Sequence, residues 1–327
     1  MKFNWIISFL LGMLAVACAV KTETKQTSDP VQDTPVKKIE FNADSAYSNV
    51  KSQVDFGPRV PGTEGHSKCA QYLVNKLKRY GADSIIEQKT TVTAFNGDKL
   101  PINNIMGQFN KSAQKRVLLL AHWDTRPWAD EDPDESRRQQ PIPGANDGGS
   151  GVGVLLEVAR CLQIEKPSIG VDILFVDAED YGQNGGEEEH SWCLGTQYWA
   201  MHHPYPAGEM PIYGILLDIV GGIDARFHRE MASQRFAPSI VNKVWSMASA
   251  SGYGTIFLNE MGGGIMDDHV YVNGAGIPCI DIIENNNEQT GSFPSTWHTH
   301  ADNMSNISRQ SLKAVGQTVL NVIYNEK

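Results

Sequence analysis

The sequence predicts a single α/β domain, built on a mixed, mostly parallel central sheet with helices on both faces. Three observations lead there. From Val117 onward, short apolar runs of strand length alternate with helical patterns. Those runs are apolar throughout rather than alternating, as strands buried on both faces are. No internal repeat or second domain boundary interrupts the 327 residues, a length that α/β enzymes reach as one domain.

Each element has its own justification. Asn42 is placed to cap a helix in which Ala46, Val50 and Val54 share a face. Phe56-Gly57-Pro58-Arg59-Val60-Pro61-Gly62 breaks that helix, and Thr63 caps the next, which buries Cys69, Leu73 and Leu77 and stops at Gly81. Strand-like runs follow at 84–88, 90–95 and 102–109, and are expected to pair as an antiparallel edge. The strands of the alternating region are 117–121, 171–176, 214–220, 255–258 and 277–283. Between them lie helices at 152–162, 194–202, 239–250 and 267–273. A last helix starts at Ser308, with Leu312, Val315, Val319 and Ile323 on one face.

Composition narrows the function. The formal charge is −10, which argues against nucleic acid as a partner, and 41% hydrophobic residues supply a large core. The acidic runs Asp130-Glu131-Asp132 and Glu187-Glu188-Glu189 read as solvated loops. The N-terminus reads as a targeting segment, Lys2 followed by an apolar stretch from Ile6 to Ala17 that is short for a membrane span. Leu14-Ala15-Val16-Ala17-Cys18 resembles a bacterial lipobox, with Cys18 as the lipidated residue and Ala15 where a larger apolar residue is usual. Ordinary signal-peptide cleavage near Ala17 is the alternative. The organisation is thus a signal segment over 1–18, a flexible polar tether over 19–36 and the α/β domain over 37–327. Either processing route exports the protein, to the periplasm, with membrane attachment through a lipid on Cys18 alone. Cys69, Cys161, Cys193 and Cys279 lack metal-type spacing and read as buried free thiols.

The chemistry lies at the C-terminal ends of the predicted strands, where open α/β sheets carry their sites. The first strand ends at His122 and leads to Asp124, and Gly144-Ala145-Asn146-Asp147-Gly148-Gly149 opens the following helix. The next delivers Asp177-Ala178-Glu179-Asp180, and the next Leu217-Asp218. Asp267-Asp268-His269 opens a helix, and Phe293-Pro294-Ser295-Thr296-Trp297-His298 follows the last strand. So many acids on one rim are costly to bury without a cation. Mixed histidine and carboxylate ligands suit a catalytic zinc.

In this order, His122-x-Asp124, Asn146-Asp147, Glu179-Asp180, Leu217-Asp218 and Trp297-His298 resemble the M28 zinc exopeptidase superfamily, as does Phe56-Gly57-Pro58-Arg59. Asp267-Asp268-His269, Phe293-Pro294 and Ala121-His122-Trp123-Asp124-Thr125-Arg126-Pro127-Trp128 are similar to its zinc-dependent glutaminyl cyclase branch. The resemblance covers about residues 40–325. It implies one zinc per chain, held by Asp147, Asp180 and His298. Glu179 is then the acid/base, with Asp218 and Asp267 as an acidic network beside it, and Phe293 and Trp297 wall the substrate pocket. His122 matches a ligand of the second metal in dinuclear relatives. Asp180 departs from the pattern, being one methylene shorter than the usual Glu, and Gly182–Trp192 forms a long acidic loop. The implied reaction closes the N-terminal glutamine of peptides or proteins to pyroglutamate, with loss of ammonia. The alternative is a dinuclear zinc aminopeptidase of family M28, using His122, Asp147, Asp180, Asp218 and His298 as ligands. A binding domain that has lost its chemistry is the third reading, and the intact ligand set argues against it.

Overall fold

The computed structural model describes residues 39–185 and 189–327. The signal segment, the tether, Cys18 and the acids Glu187 and Glu188 lie outside the described residues. Two capped helices come first. The Asn42 side chain accepts from the Ser45 amide at 3.0 Å and starts α1 (Ala43–Val54). The Thr63 hydroxyl accepts from the His66 amide and starts α2 (Glu64–Arg79).

β1 (Ser84–Thr93) and β2 (Lys99–Phe109) form an antiparallel hairpin. The sequence suggests two separate runs before residue 95. The structure has one strand, because pairing continues unbroken from Ser84 opposite Gln108 to Thr93 opposite Lys99. Then come β3 (Arg116–His122), α3 (Gly149–Ile164), β4 (Gly170–Val176), α4 (Leu194–Met201) and β5 (Gly214–Asp218). The chain continues through β6 (Phe227–Arg229), α5 (Met231–Phe236), α6 (Pro238–Ala250) and β7 (Phe257–Met261). α7 (Asp268–Gly274), β8 (Cys279–Ile283) and α8 (Arg309–Asn325) complete it.

The main sheet has the order β1-β2-β4-β3-β5-β8. β4, β3, β5 and β8 are parallel, and β2 and β1 extend the sheet antiparallel at one edge. This is the mixed, largely parallel sheet the sequence predicts. Side chains alternate across it. Leu118, Leu120, Leu174 and Leu216 pack on one face with Trp199 of α4 and Val272 of α7. Val117, Leu119, Ile173 and Ile215 pack on the other with α1, α3 and α8.

One strand departs from expectation. The run at 255–258 does not join the main sheet; it begins β7, which pairs with the three-residue β6 in a separate ribbon. Only its start is buried, with Phe257 against Phe227 and Trp245 at centroid distances of 5.1 and 5.4 Å, and the rest faces outward. β6 and α5 are too short to show a periodic pattern in sequence. Because β3, β4, β5 and β8 run the same way, their C-terminal ends meet at one edge, and the chemistry collects there.

Candidate active site

His122 ends β3 and Asp218 ends β5. Asp147 sits in the loop entering α3. That loop needs its glycine: Gly148 has φ +75°, and a Cβ there would lie 2.3 Å from the Asp124 carbonyl oxygen. The backbone amides of Asn146 and Asp147 donate to Asp302 at 2.7 and 3.1 Å. The amides of Glu179 and Asp180 donate to the two oxygens of Asp124 at 3.1 and 3.2 Å. Two buried aspartates thus fix the two loops that carry the acids.

These loops bring Asp147, Asp180 and His298 into one buried cluster. His298 Nε2 lies 3.2 Å from Asp180 Oδ1 and 3.7 Å from Asp147 Oδ2. Asp180 is 1% exposed, and among the described residues neither of its oxygens accepts a hydrogen bond, the Arg126 guanidinium standing 3.5 Å from Oδ1. A buried carboxylate left this way is expensive unless a cation completes it. The three residues fit a divalent metal, and imidazole with carboxylates suits zinc. His122, Asp147 and Asp218 form an adjoining group, with His122 Nε2 3.0 Å from Asp147 Oδ1 and 3.1 Å from Asp218 Oδ1. Asp147 therefore turns one oxygen toward each histidine.

A cavity of about 290 Å³ opens beside the first cluster. Its acidic side carries Glu179, Asp218 and Asp267; Asp267 also caps α7. Its apolar side carries Phe293 and Trp297, stacked at 4.5 Å, and Trp297 stacks on His298 at 3.5 Å. Trp192 lines it too, so the long loop after Gly182 does reach the pocket. All eight residues expected at the metal, the acids and the walls border this cavity, and His122 lies behind Asp147 and Asp218.

Burial pushes the Glu179 carboxyl well above its ordinary range; His122 opposes this, while Asp267, Asp180 and Asp268 reinforce it. Burial raises Asp218 to about 7 against the pull of His122. Burial, with Asp147 close by, raises Asp302 to about 7. His122 is raised: burial opposes its charge, and Asp218, Asp124 and Asp147 outweigh that.

These shifts predict the behaviour of the metal-stripped protein. Carboxyls with raised folded values make the native state bind more protons than the unfolded chain between about pH 4 and 7, so stability falls as pH rises through that window. His122 acts in the same direction, its contribution being lost as pH rises through its raised folded value. After chelation, Tm is expected to drop by roughly 5–10 °C from pH 5 to pH 8. Zinc should flatten or reverse the trend, since its ligands must be deprotonated. Thermal scans with and without chelator check this; a flat profile for the stripped protein counts against these burial-driven shifts.

The contacts by which several residues shape the site are not visible in sequence. Arg126 grips Asp130 with two hydrogen bonds of 2.9 and 2.6 Å and donates to the Asp180 carbonyl at 3.0 Å. Asp130 Oδ1 in turn lies 3.3 Å from His298 Nδ1, which orients the imidazole. Asp132 accepts from both the amide and the ring of His300, at 2.9 and 2.7 Å. The solvated reading of the Asp130–Asp132 run is thus corrected: two of its three acids are bound into the site's support. Fully buried Arg59 donates to the carbonyls of Trp123, Pro143 and Gly144 and ties down the loop before Asp147. Ala178, Cys193, Ile219 and His298 all have φ between 48° and 56°. Each adjoins or is a site residue, and such backbone costs about 1–3 kcal/mol apiece.

The reading of the cysteines agrees with the structure. The four described cysteines are buried free thiols. His202 bonds the Tyr198 carbonyl at the end of α4, and His269 is buried against Glu230.

A mixed α/β sheet with a buried carboxylate–imidazole cluster at its parallel strand ends defines a metal-dependent enzyme of the zinc exopeptidase type. Residues 104–323 match Peptidase family M28, and the chain belongs to that family. It is similar to Bacteroides thetaiotaomicron glutaminyl cyclase, at 52% identity and a TM-score of 0.85, covering 88% of this chain and 99% of that one. It is equally similar to a Zn-dependent exopeptidase from Parabacteroides distasonis, at 52% identity and a TM-score of 0.84, over 88% of this chain and 99% of that one. Glutaminyl-peptide cyclotransferase of Bos taurus is 23% identical over 290 residues, 78% of this chain and 74% of the relative.

Proposed function

We propose that this enzyme is a glutaminyl-peptide cyclotransferase, converting the N-terminal glutamine of peptides or proteins to pyroglutamate with release of ammonia. The observation that carries this reading is the set Glu179, Asp218 and Asp267 facing Trp297 and Phe293 across a cavity of about 290 Å³ beside the metal cluster. That volume is at the lower end for ligand pockets and suits one folded side chain. The similarity to glutaminyl cyclases points the same way.

One zinc per chain, held by Asp147, Asp180 and His298, supplies a Lewis acid for the γ-carbonyl oxygen when bound. The residues of the chain do the rest. Phe293 and Trp297 hold the side chain folded, so that the α-amine meets its own γ-carbonyl carbon; holding the two ends together supplies much of the rate. A free α-amine, with a reference pKa of about 8, is largely protonated at neutral pH. The ammonium first gives one proton to solvent; as the neutral amine forms the new C–N bond, Glu179 takes a second proton from that nitrogen and delivers it to the amide nitrogen as the old C–N bond breaks, releasing ammonia. Its raised proton affinity suits the second half of that task. Asp218 and Asp267 keep it in an acidic surround.

A second reading, a dinuclear zinc aminopeptidase, is favoured by the two-sided placing of Asp147 between His122 and His298. One assay separates the two: purified protein offered an N-terminal glutamine peptide and an ordinary aminopeptidase substrate in parallel, with metal content measured on the same sample. Pyroglutamate formation with about one zinc supports the cyclase; amino acid release with two tightly held metals supports the peptidase.

Trp297→Ala is expected to lower kcat/KM on glutamine peptides by ~10–100-fold with zinc and fold retained, since a stacked ring is removed from the pocket wall. Zinc loss or unfolding in that variant makes Trp297 a structural residue instead. Export through residues 1–18 with a lipid on Cys18 is part of the same proposal. It predicts a mature N-terminus at Cys18 that carries a lipid detectable by mass spectrometry; an unlipidated N-terminus counts against the lipid.

A further inference from the structure

We infer that Cys193 is a positioning residue for Glu179: its thiol donates a hydrogen bond to the carboxyl and holds it in the orientation from which it handles protons. This rests on the acid/base role proposed above for Glu179. The Cys193 Sγ–Glu179 Oε1 distance is 3.3 Å, and among the described residues no other hydrogen bond reaches the Glu179 side chain. The other oxygen, Oε2, lies 4.0 Å from His122 Nδ1. The thiol is fully buried.

The backbone is built to present this thiol. The Cys193 amide donates to the Glu179 carbonyl at 2.9 Å, and the Leu194 amide to the Ala178 carbonyl at 3.0 Å. Both ends of that clamp are strained, with φ of 50° at Ala178 and 56° at Cys193, although neither is glycine. Such backbone persists only where its surroundings impose it. Two residues on, Gly195 lets the start of α4 press against the end of β4; a Cβ there would meet the Asp177 carbonyl oxygen at 2.0 Å. The sulfur stays a neutral donor rather than a nucleophile, because burial and the acids Asp268, Glu179 and Asp267 all raise its pKa.

The test uses the zinc-loaded enzyme and a short glutamine peptide. Cys193→Ala and Cys193→Gly both remove the donor, and Gly also relieves the backbone, so at least one should fold. Both are expected to lower kcat by ~5–10-fold, the value of one such hydrogen bond, with KM, zinc content and Tm little changed. Cys193→Ser keeps a donor and should stay within about twofold of the parent. In a Glu179→Gln background, Cys193→Ala should add nothing. Normal kcat in both Ala and Gly variants overturns the inference, as does a Ser variant as slow as Ala. If Glu179→Gln itself turns over normally, the acid/base reading fails and this inference with it. An inactive Glu179→Gln beside a fully active Cys193→Ala overturns this inference alone.

Discussion

Glu179→Gln is expected to lower kcat by ~10²–10⁴-fold, the usual range for a general acid/base, while zinc content and KM change little. The substitution keeps the shape of the side chain and removes only the titrating group. Glu179 directly precedes Asp180 in the loop beyond β4, where the left-handed backbone at Ala178 has ended the strand. Asp180 turns to His298 at 3.2 Å, whereas Glu179 borders the cavity next to Asp267 and Cys193. The two neighbours therefore face different tasks. Residual activity should also lose the limb of its pH profile that belongs to this carboxyl. Zinc lost from Glu179→Gln and kept by Asp180→Asn reverses the two roles. Near-normal turnover removes Glu179 from the chemistry and makes Asp218 or Asp267 the next candidate.

Asp147→Ala and His298→Ala are each expected to abolish metal retention and reduce turnover to background. Each removes one of the three proposed ligands from a buried cluster. The remaining carboxylates would then face one another without a cation, so these variants should also bind added zinc weakly. His122→Ala should keep its zinc, because in the one-metal reading this imidazole braces Asp147 and Asp218 rather than holding the ion. Elemental analysis after dialysis, with activity on the same samples, reads all three. Full zinc in His298→Ala removes it from the ligand set; halved metal in His122→Ala, starting from two equivalents, moves the assignment to the dinuclear enzyme.

Much of this was legible in the chain. Asn42 and Thr63 announced their helices, because capping is a local reaction between a side chain and an amide three residues away. The apolar runs at 117–121 and 171–176 announced buried parallel strands. The strand ends announced the acids, because a parallel sheet carries the C-terminal ends of its strands to one edge. β7 misled, because an apolar run does not say which sheet it will pair with.

The sequence by itself determined the fold class, the rim on which the chemistry collects and the residues gathered there, since all three follow from periodicity and from short-range order along the chain. Tertiary structure alone decided how those residues are held. Asp130 read as a solvated acid until Arg126 and His298 were folded onto it. Asp302 supports Asp147 from 155 residues away. Cys193 reaches Glu179 across 14 residues. The left-handed backbone at Ala178, Ile219 and His298 leaves no trace in residue type. Such contacts depend on which distant segments share a buried space, and a charge's fate depends on whether a partner arrives there with it.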